Sequence, residues 1–384
     1  MTDVAIVGAG PVGATLALAL ADADLDLVVA DARQAGESLR TDRTLALSHG
    51  ARLILERLGV WPALAAAEGA VTPILTIDVS QAGGFGVVEL TAAEQRLPAL
   101  GYVVSYRALQ TALDDALARA GVDVRFGASV RAVRGGRDAA RIEIGHDGDG
   151  AIDARLAVVA DGAASSVAGM ARKRHDYRQV AIVASVEMAH PHGGVAFERF
   201  TPEGPIALLP ERDHYALVWT REPADAQQAL TMSDDAFLAA LAARFGSRVK
   251  GFTGVRERRA FPLALEIARN TASDRVVVIG NAAQALHPVA GQGFNLGLRD
   301  AYDLARTIVD TPRAAIGSKA MLDRYRRRRE PDRQAGIFVT HGLVRLFSND
   351  RSWLSVPRGA GMMLLDALPI AKRAFGRAML FGLH

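Results

Sequence analysis

This chain of 384 residues predicts a Rossmann-like α/β fold carrying an inserted antiparallel sheet, so α/β locally and α+β overall. Three stretches predict it. Asp3-Val4-Ala5-Ile6-Val7 is an apolar run of strand length that enters Gly8-Ala9-Gly10-Pro11-Val12-Gly13 directly. Much later, Arg275-Val276-Val277-Val278-Ile279 runs into a second Gly-rich turn, Gly280 to Gly297, where a helix is expected to open between Gly291 and Asn295. Between them, Val180 to Thr220 alternates apolar and polar residues among Pro and Gly turns, which suits an inserted sheet better than further βαβ units.

The elements follow in order. Pro11 to Ala21 reads as an apolar helix, and Leu25 to Ala30 as a second strand ending on Asp31. Such a βαβ unit requires a parallel sheet and a right-handed crossover. Thr44 to Leu58 reads as an amphipathic helix, with Leu45, Leu47, Leu53, Leu55 and Leu58 on its apolar side. Pro73 to Leu90 alternates around Gly83-Gly84, as antiparallel strands and a turn. Arg107 to Ala120 is helical, Val122 to Phe126 a strand, and Val130 to Ile152 a hairpin-like region leading into Leu156-Ala157-Val158-Val159-Ala160. Beyond Ile279 the pattern is helical. The nucleotide-binding domain is thus expected to be discontinuous, over 1–70, 98–177 and 268–345, with substrate-domain pieces at 71–97 and 178–267 and a helical segment at 346–384.

Half of the residues are apolar, enough for a sizeable core. The net charge is +3, with 45 Lys and Arg interspersed among 42 Asp and Glu, so no concentrated basic stripe points to nucleic acid. The densest basic run, Arg324 to Arg329, reads as a solvated helix face. With no cysteine, disulfides, thiolate catalysis and Cys-ligated metal centres are excluded. The chain enters its first strand without a secretory leader, and no apolar run has spanning length, so a cytoplasmic protein is expected.

Within the first turn, Gly8 permits the tight bend, Gly10 lets a pyrophosphate approach the backbone, and Gly13 lets helix pack on strand. Asp31, at the end of the second strand, suits a ribose 2′-OH and disfavours a 2′-phosphate, hence NADP. This element alone leaves FAD and NAD open. A second turn so far downstream, with free N–H groups at a helix start, implies one extended dinucleotide held at both ends, namely FAD.

Gly280-Asn281-Ala282-Ala283-Gln284, Leu286-His287-Pro288 and Ala290-Gly291-Gln292-Gly293, together with the N-terminal fingerprint, resemble the class A flavin monooxygenases. These are aromatic hydroxylases with a para-hydroxybenzoate hydroxylase-like fold, and the resemblance spans essentially the whole chain. Within that group the motif is similar to the ubiquinone-biosynthesis hydroxylases of the UbiH type, 2-polyprenyl-6-methoxyphenol hydroxylases, whose Gly-Asn stands where most relatives have Gly-Asp. The resemblance assigns Gly8, Gly10, Gly13 and Asp31 to the ADP half of FAD, and Val130 to the backbone that meets the adenine. It places Arg43 toward the flavin side and Arg107 near the pyrophosphate and ribityl chain; as an alternative, each is a surface ion pair. Asp161-Gly162 matches a motif touching FAD and an approaching nicotinamide nucleotide. The arginines that usually follow are replaced by Ala163-Ala164-Ser165-Ser166-Val167-Ala168, which puts the NAD(P)H approach in question. Gly280 and Asn281 belong to the ribityl contact, where an Asn oxygen accepts as an Asp oxygen does. Amides around Gly293, Phe294 and Asn295 would face the flavin N1–C2=O edge.

The chemistry implied is transfer of oxygen from a flavin C4a-hydroperoxide to an electron-rich phenol, with NAD(P)H as electron donor and O₂ as co-substrate. His287, in the turn before the flavin-facing helix, is the best titratable candidate for taking the phenol proton; the alternative is a His packed to shape the turn. His190 and His192 flank Pro191 and read as loop residues, so no metal is expected, and no hydrolase motif is present. The substrate implied, a polyprenyl phenol, resides in membrane. The C-terminal segment mixes Met362, Met363, Leu364, Leu365, Met379, Leu380 and Phe381 with Lys372, Arg373 and Arg377, as a contact at the inner membrane face or as a helix packed on the core. Two other readings stay open: a same-fold reductase or oxidase, and a non-catalytic flavoprotein subunit of a quinone-biosynthesis complex.

Overall fold

The computed structural model describes residues 1–37, 43–145, 150–162, 169–349 and 351–383. Two eight-stranded sheets and one three-stranded sheet organise them. The first sheet is built on parallel pairing: Thr2–Val7 lies between Leu27–Asp31 and Gly150–Val159, with Asp123–Phe126 and Val276–Val278 outside them. Nearly every side chain of Val4 to Val7 and Leu156 to Val159 is buried on both faces, as a helix-covered parallel sheet demands. The hairpin Val130–Arg134 and Ala140–Ile144 pairs antiparallel onto the outer half of Gly150–Val159.

The second sheet is antiparallel except where Val195–Thr201 runs parallel to Thr76–Gln81. Two 17-residue strands, Arg172–Met188 and Phe252–Ala268, span its length and reach back to the first sheet's edge, where Gln284–Ala285 adds a short final strand. Residues 71–97 are divided between sheets. Val71–Ile74 pairs with Gly101–Ser105 in the three-stranded sheet, whereas Thr76–Gln81 and Val87–Thr91 join the large antiparallel one.

Two sequence expectations need correction. Thr44 to Leu58 is not one helix: Thr44–Ser48 is a strand paired with Gly101–Ser105, and the helix spans only His49–Arg57. Leu45 and Leu47 are two residues apart, a strand period, and a Cβ on Gly101 would stand 2.4 Å from the Leu47 carbonyl oxygen, so the pairing is close. Ser48 caps the helix, its Oγ accepting from the Ala51 N–H at 3.2 Å. Leu53, expected on the apolar side, is 40% exposed.

The basic run is a solvated face only in part: Arg324, Arg326 and Arg327 are exposed, whereas Arg328 and Arg329 turn inward. In the 29-residue helix Lys319–Phe347, Arg329 is only 3% exposed and bonds Asp300 at 2.9 Å, Asp303 at 3.1 Å and Asp332 at 2.9 Å. Arg328 reaches Asp303 at 3.1 Å and Arg324 bonds Thr311. Asp300 and Asp303 lie on one face of helix Gln292–Val309, and that face draws the cations inward.

The C-terminal segment forms helices Ser355–Ala367 and Pro369–Phe381. Met362 and Leu380 are buried, while Val356, Met363, Leu364, Leu368 and Ile370 are exposed. Lys372 is turned inward to Glu94 at 3.0 Å and Asp366 at 2.9 Å, so it is no free surface cation. Among the described residues no helix is long and apolar enough to cross a membrane.

Arg329→Met should remove the buried charge shared by three carboxylates, at about 3–5 kcal/mol of stability. Burial pushes the Asp332 carboxyl up, but Arg299 and Arg329 outweigh it and hold it below its ordinary value. That contribution is present above the unfolded carboxylate range, about pH 4, and is lost as pH falls through the lower folded value. Thermal melts should therefore show wild-type Tm falling steeply in acid, and a lower, flatter curve for Arg329→Met.

Candidate functional site

The two Gly-rich turns meet in space. Gly8 has φ +98°, and a Cβ there would lie 2.9 Å from the Ala160 carbonyl oxygen and from Asp161 Cα, so only glycine allows the first turn to press on Asp161. Gly13 is closer still: its Cβ would lie 1.9 Å from the Gly8 oxygen. Gly10 differs, with nothing within 4 Å of the corresponding position. It opens helix Pro11–Leu20 without a side-chain cap, leaving free space beside unpaired N–H groups. Val12, in the first turn of that helix, touches both Gly280 at 3.1 Å and Gly297 at 3.0 Å from where their Cβ atoms would stand. The helix starts of Pro11–Leu20 and Gln292–Val309 are thereby set side by side.

Asp31 closes the opposite end. It is 7% exposed, its Oδ2 accepts from the Ala9 N–H, and its Oδ1 accepts from Arg33 N at 2.8 Å and Nε at 3.0 Å. The carboxylate therefore braces the Gly-rich turn as well as lying at the strand end where a ribose would sit. Val130 starts a strand just after Ala128, whose N–H donates to the Asp31 carbonyl, so it lies beside that end. Arg43 stacks over the Tyr106 ring at 4.1 Å, and its carbonyl accepts from the Tyr106 N–H; Arg107 follows on the same exposed helix start. Asp161 is exposed, and the Ala163–Ala168 substitution lies outside the described residues.

At the second turn, Gly280 has φ +60° and donates its N–H to Asp300 at 3.3 Å. Asn281 is exposed, and its carbonyl accepts from Arg172 at 3.2 Å. Ala290 and Gly291 both adopt left-handed φ, near 57° and 58°, to aim the start of helix Gln292–Val309. A Cβ on Gly293 would meet the Leu286 Cβ at an ordinary 3.7 Å, and Phe294 packs on the core. The Asn295 side chain is fully used: Oδ1 accepts from Ser48 N at 2.8 Å, and Nδ2 donates to Gly291 O at 2.8 Å and Ala46 O at 3.1 Å. Its part toward a cofactor is left to its backbone and to fixing this turn.

These residues fit FAD. The open cradle at Gly10, the adjoining helix starts and the Asp31 end form a path that a Cβ at Gly10 would obstruct.

A cavity of about 430 Å³ lies beside the second turn. His287, Ala290 and Gly291 form one wall, the large sheet another through Ile77, Val79 and Ala207, and the C-terminal helices a third through Met362 and Met379. His287 is 1% exposed, its Nδ1 accepts from the Val289 N–H at 3.2 Å, and its Nε2 has no partner among the described residues. Burial pulls its pKa down to about 4. The imidazole is therefore neutral near pH 7 and, with Nδ1 occupied as acceptor, carries its proton on Nε2. This form favours a donor's role for His287, nearer the alternative of a His packed into the turn than that of a base. Sequence reasoning overlooked Glu198, which also lines the cavity; burial pushes its carboxyl up to about 8, opposed by the nearby Ala290 amide. Its signal was a charge in phase with Ala196 and Phe200 on a period-two strand.

The FAD binding domain family matches residues 1–337. The chain is 35% identical to a ubiquinone hydroxylase UbiL of Rhodospirillum rubrum, covering 98% of this chain and 89% of that one. It is 34% identical to the 3-demethoxyubiquinol 3-hydroxylase of Escherichia coli, covering 97% and 96%. Among solved structures, the p-nitrophenol 4-monooxygenase PnpA of Pseudomonas putida shares the fold with TM-score 0.78 at 17% identity, covering 100% of this chain and 99% of that one. Fingerprint, second turn and near-complete alignment agree: the chain belongs to the FAD binding domain family, in the branch that holds these ubiquinone hydroxylases.

Proposed function

We propose that this protein is an FAD-dependent monooxygenase that hydroxylates the aromatic ring of a polyprenylated phenol in ubiquinone biosynthesis, with NAD(P)H as electron donor and O₂ as co-substrate. The observation that supports the reading is the largely apolar cavity beside the second turn, with only a few polar groups such as His287, Asn295 and Glu198 in its lining, as suits a ring with a hydrocarbon tail. FAD held there and reduced by NAD(P)H would supply the activation of O₂, one atom of which would go to the ring and the other to water. The chain's own residues do the rest. Gly10 and the two helix starts hold the phosphates, His287 offers an N–H donor, and aliphatic walls exclude water from the reacting ring. The exposed Met363, Leu364, Leu368 and Ile370, near Arg373 and Arg377, support contact with an anionic membrane at its inner face, from which a lipid-tailed phenol would enter.

The purified protein should be yellow, with one noncovalent FAD per chain. Gly10→Val has room in the polypeptide and should fold yet lose FAD, whereas Gly13→Val meets the Gly8 carbonyl and should lose Tm as well. Circular dichroism with flavin absorbance separates the two; a flavin-replete Gly10→Val would place the phosphates elsewhere.

His287→Ala should leave the pH dependence of hydroxylation unchanged, because the imidazole it removes stays neutral across the assay range. A lost ionisation in that variant's rate–pH profile would restore His287 as the base.

Leu364→Glu with Ile370→Glu should weaken binding to anionic vesicles and turnover of long-tailed phenol while sparing a short-tailed analogue. Binding should also weaken as salt rises. Equal turnover losses on both substrates would remove these helices from the membrane contact.

A further inference from the structure

The large sheet sends one carboxyl into the cavity. Glu198 sits on strand Val195–Thr201 between Ala196 and Phe200, and all three line the space. Its neighbours across the sheet, Val79 and Ala207, are apolar. The carboxyl lies by the Ala290 amide, in the turn that opens the helix Gln292–Val309, and its Oε1 has no partner among the described residues. Glu198 thus sets a carboxyl in the cavity wall between the large sheet and the second turn, without a hydrogen-bonded side-chain partner among the described residues.

We infer that Glu198 binds the hydroxyl of the substrate's phenol ring and takes its proton, which makes it a catalytic residue of the hydroxylation. The inference rests on the phenol-hydroxylating reading and names the group that recognises the ring. The phenol O–H bond breaks, an O–H bond forms on a Glu198 oxygen, and the electron pair left on the ring oxygen raises the nucleophilicity of the ring. Nothing is oxidised or reduced in this step.

The other charged and titratable groups facing the cavity do not compete. His287, on the turn, is neutral and donates. Arg358, from helix Ser355–Ala367, bonds Asn349 at 2.6 Å and lies over the Phe347 ring. Arg199, the next charged residue on the strand, points the other way, to Ser80 and the Arg244 carbonyl. Asp78, on the neighbouring strand, is paired with Arg248 at 2.6 Å.

The energetics match the task. An ordinary Glu carboxylate near 4.3 lies about six units below a phenol near 10, so proton transfer would be uphill by roughly 10⁶. At about 8 the gap narrows to about two units, roughly 10². Burial therefore turns a poor acceptor into a serviceable one, at the cost of leaving it protonated in acid.

The test is single-turnover hydroxylation of a short-tailed polyprenyl phenol by reduced holoenzyme mixed with O₂, from about pH 6 to about pH 9. Wild-type rate should rise about tenfold per unit at the lower end and level off near the Glu198 value. Glu198→Gln should keep FAD and its reduction by NAD(P)H, run about 10²–10⁴-fold slower at the plateau, and lose the pH step. Glu198→Asp should recover a step at a shifted pH. A Glu198→Gln enzyme with the wild-type profile overturns the inference, and so does a flat wild-type profile, which decides the matter even if the variant fails to fold. If wild type hydroxylates no phenol at all, the proposed function itself has failed.

Discussion

Asp300 is the anchor of the molecule. It is 3% exposed and accepts from the Gly280 N–H, from Gln284 at 2.6 Å and from Arg329 at 2.9 Å. Arg333 continues the network, donating to the Gln284 side chain at 3.0 Å and to the Ala268 carbonyl at 2.9 Å. One carboxylate thus ties the second Gly-rich turn to the long helix Lys319–Phe347 and to the end of a long strand of the large sheet. Buried ions of this kind contribute little net stability, since desolvation consumes most of the attraction. Their value here is geometric: the turn carrying His287 and Ala290 has one place to be, and the cavity wall follows from it.

The same desolvation acts in opposite directions on two titratable groups of the cavity, Glu198 and His287. It lifts the Glu198 acid to about 8 and lowers the His287 base to about 4, so both favour their neutral forms near pH 7. A cavity whose polar end carries little charge can admit an apolar ligand without displacing a tightly held hydration shell. Ala290 lies between the two in the cavity wall, its positive φ setting the start of the following helix beside it.

Much of this was legible in the residues. The βαβ unit, Gly8, Gly10, Gly13 and the turn at Gly280 are local patterns, and local sterics fix them. What escaped depends on partners distant in sequence. Thr44–Ser48 is a strand only because Gly101–Ser105 lies beside it. Arg329 is buried only because Asp300 and Asp303 face it from another helix. Lys372 looked like a surface cation until Glu94 and Asp366 enclosed it. Glu198 broke the apolar phase of its strand, which a period-two count detects; the reason for the break becomes visible only with the cavity in place.

Val12 touches Gly280 and Gly297 although more than two hundred residues separate them in sequence. Closing so large a loop is entropically expensive once, but further growth adds little, about 0.6 kcal/mol per doubling of length. Strands of the large sheet can therefore lengthen, shorten or be exchanged in descent with almost no effect on the joining of the two turns. The nucleotide half is then free to stay nearly fixed while the walls around the ring diversify, which makes this architecture a ready source of new substrate ranges from an unchanged oxidative engine.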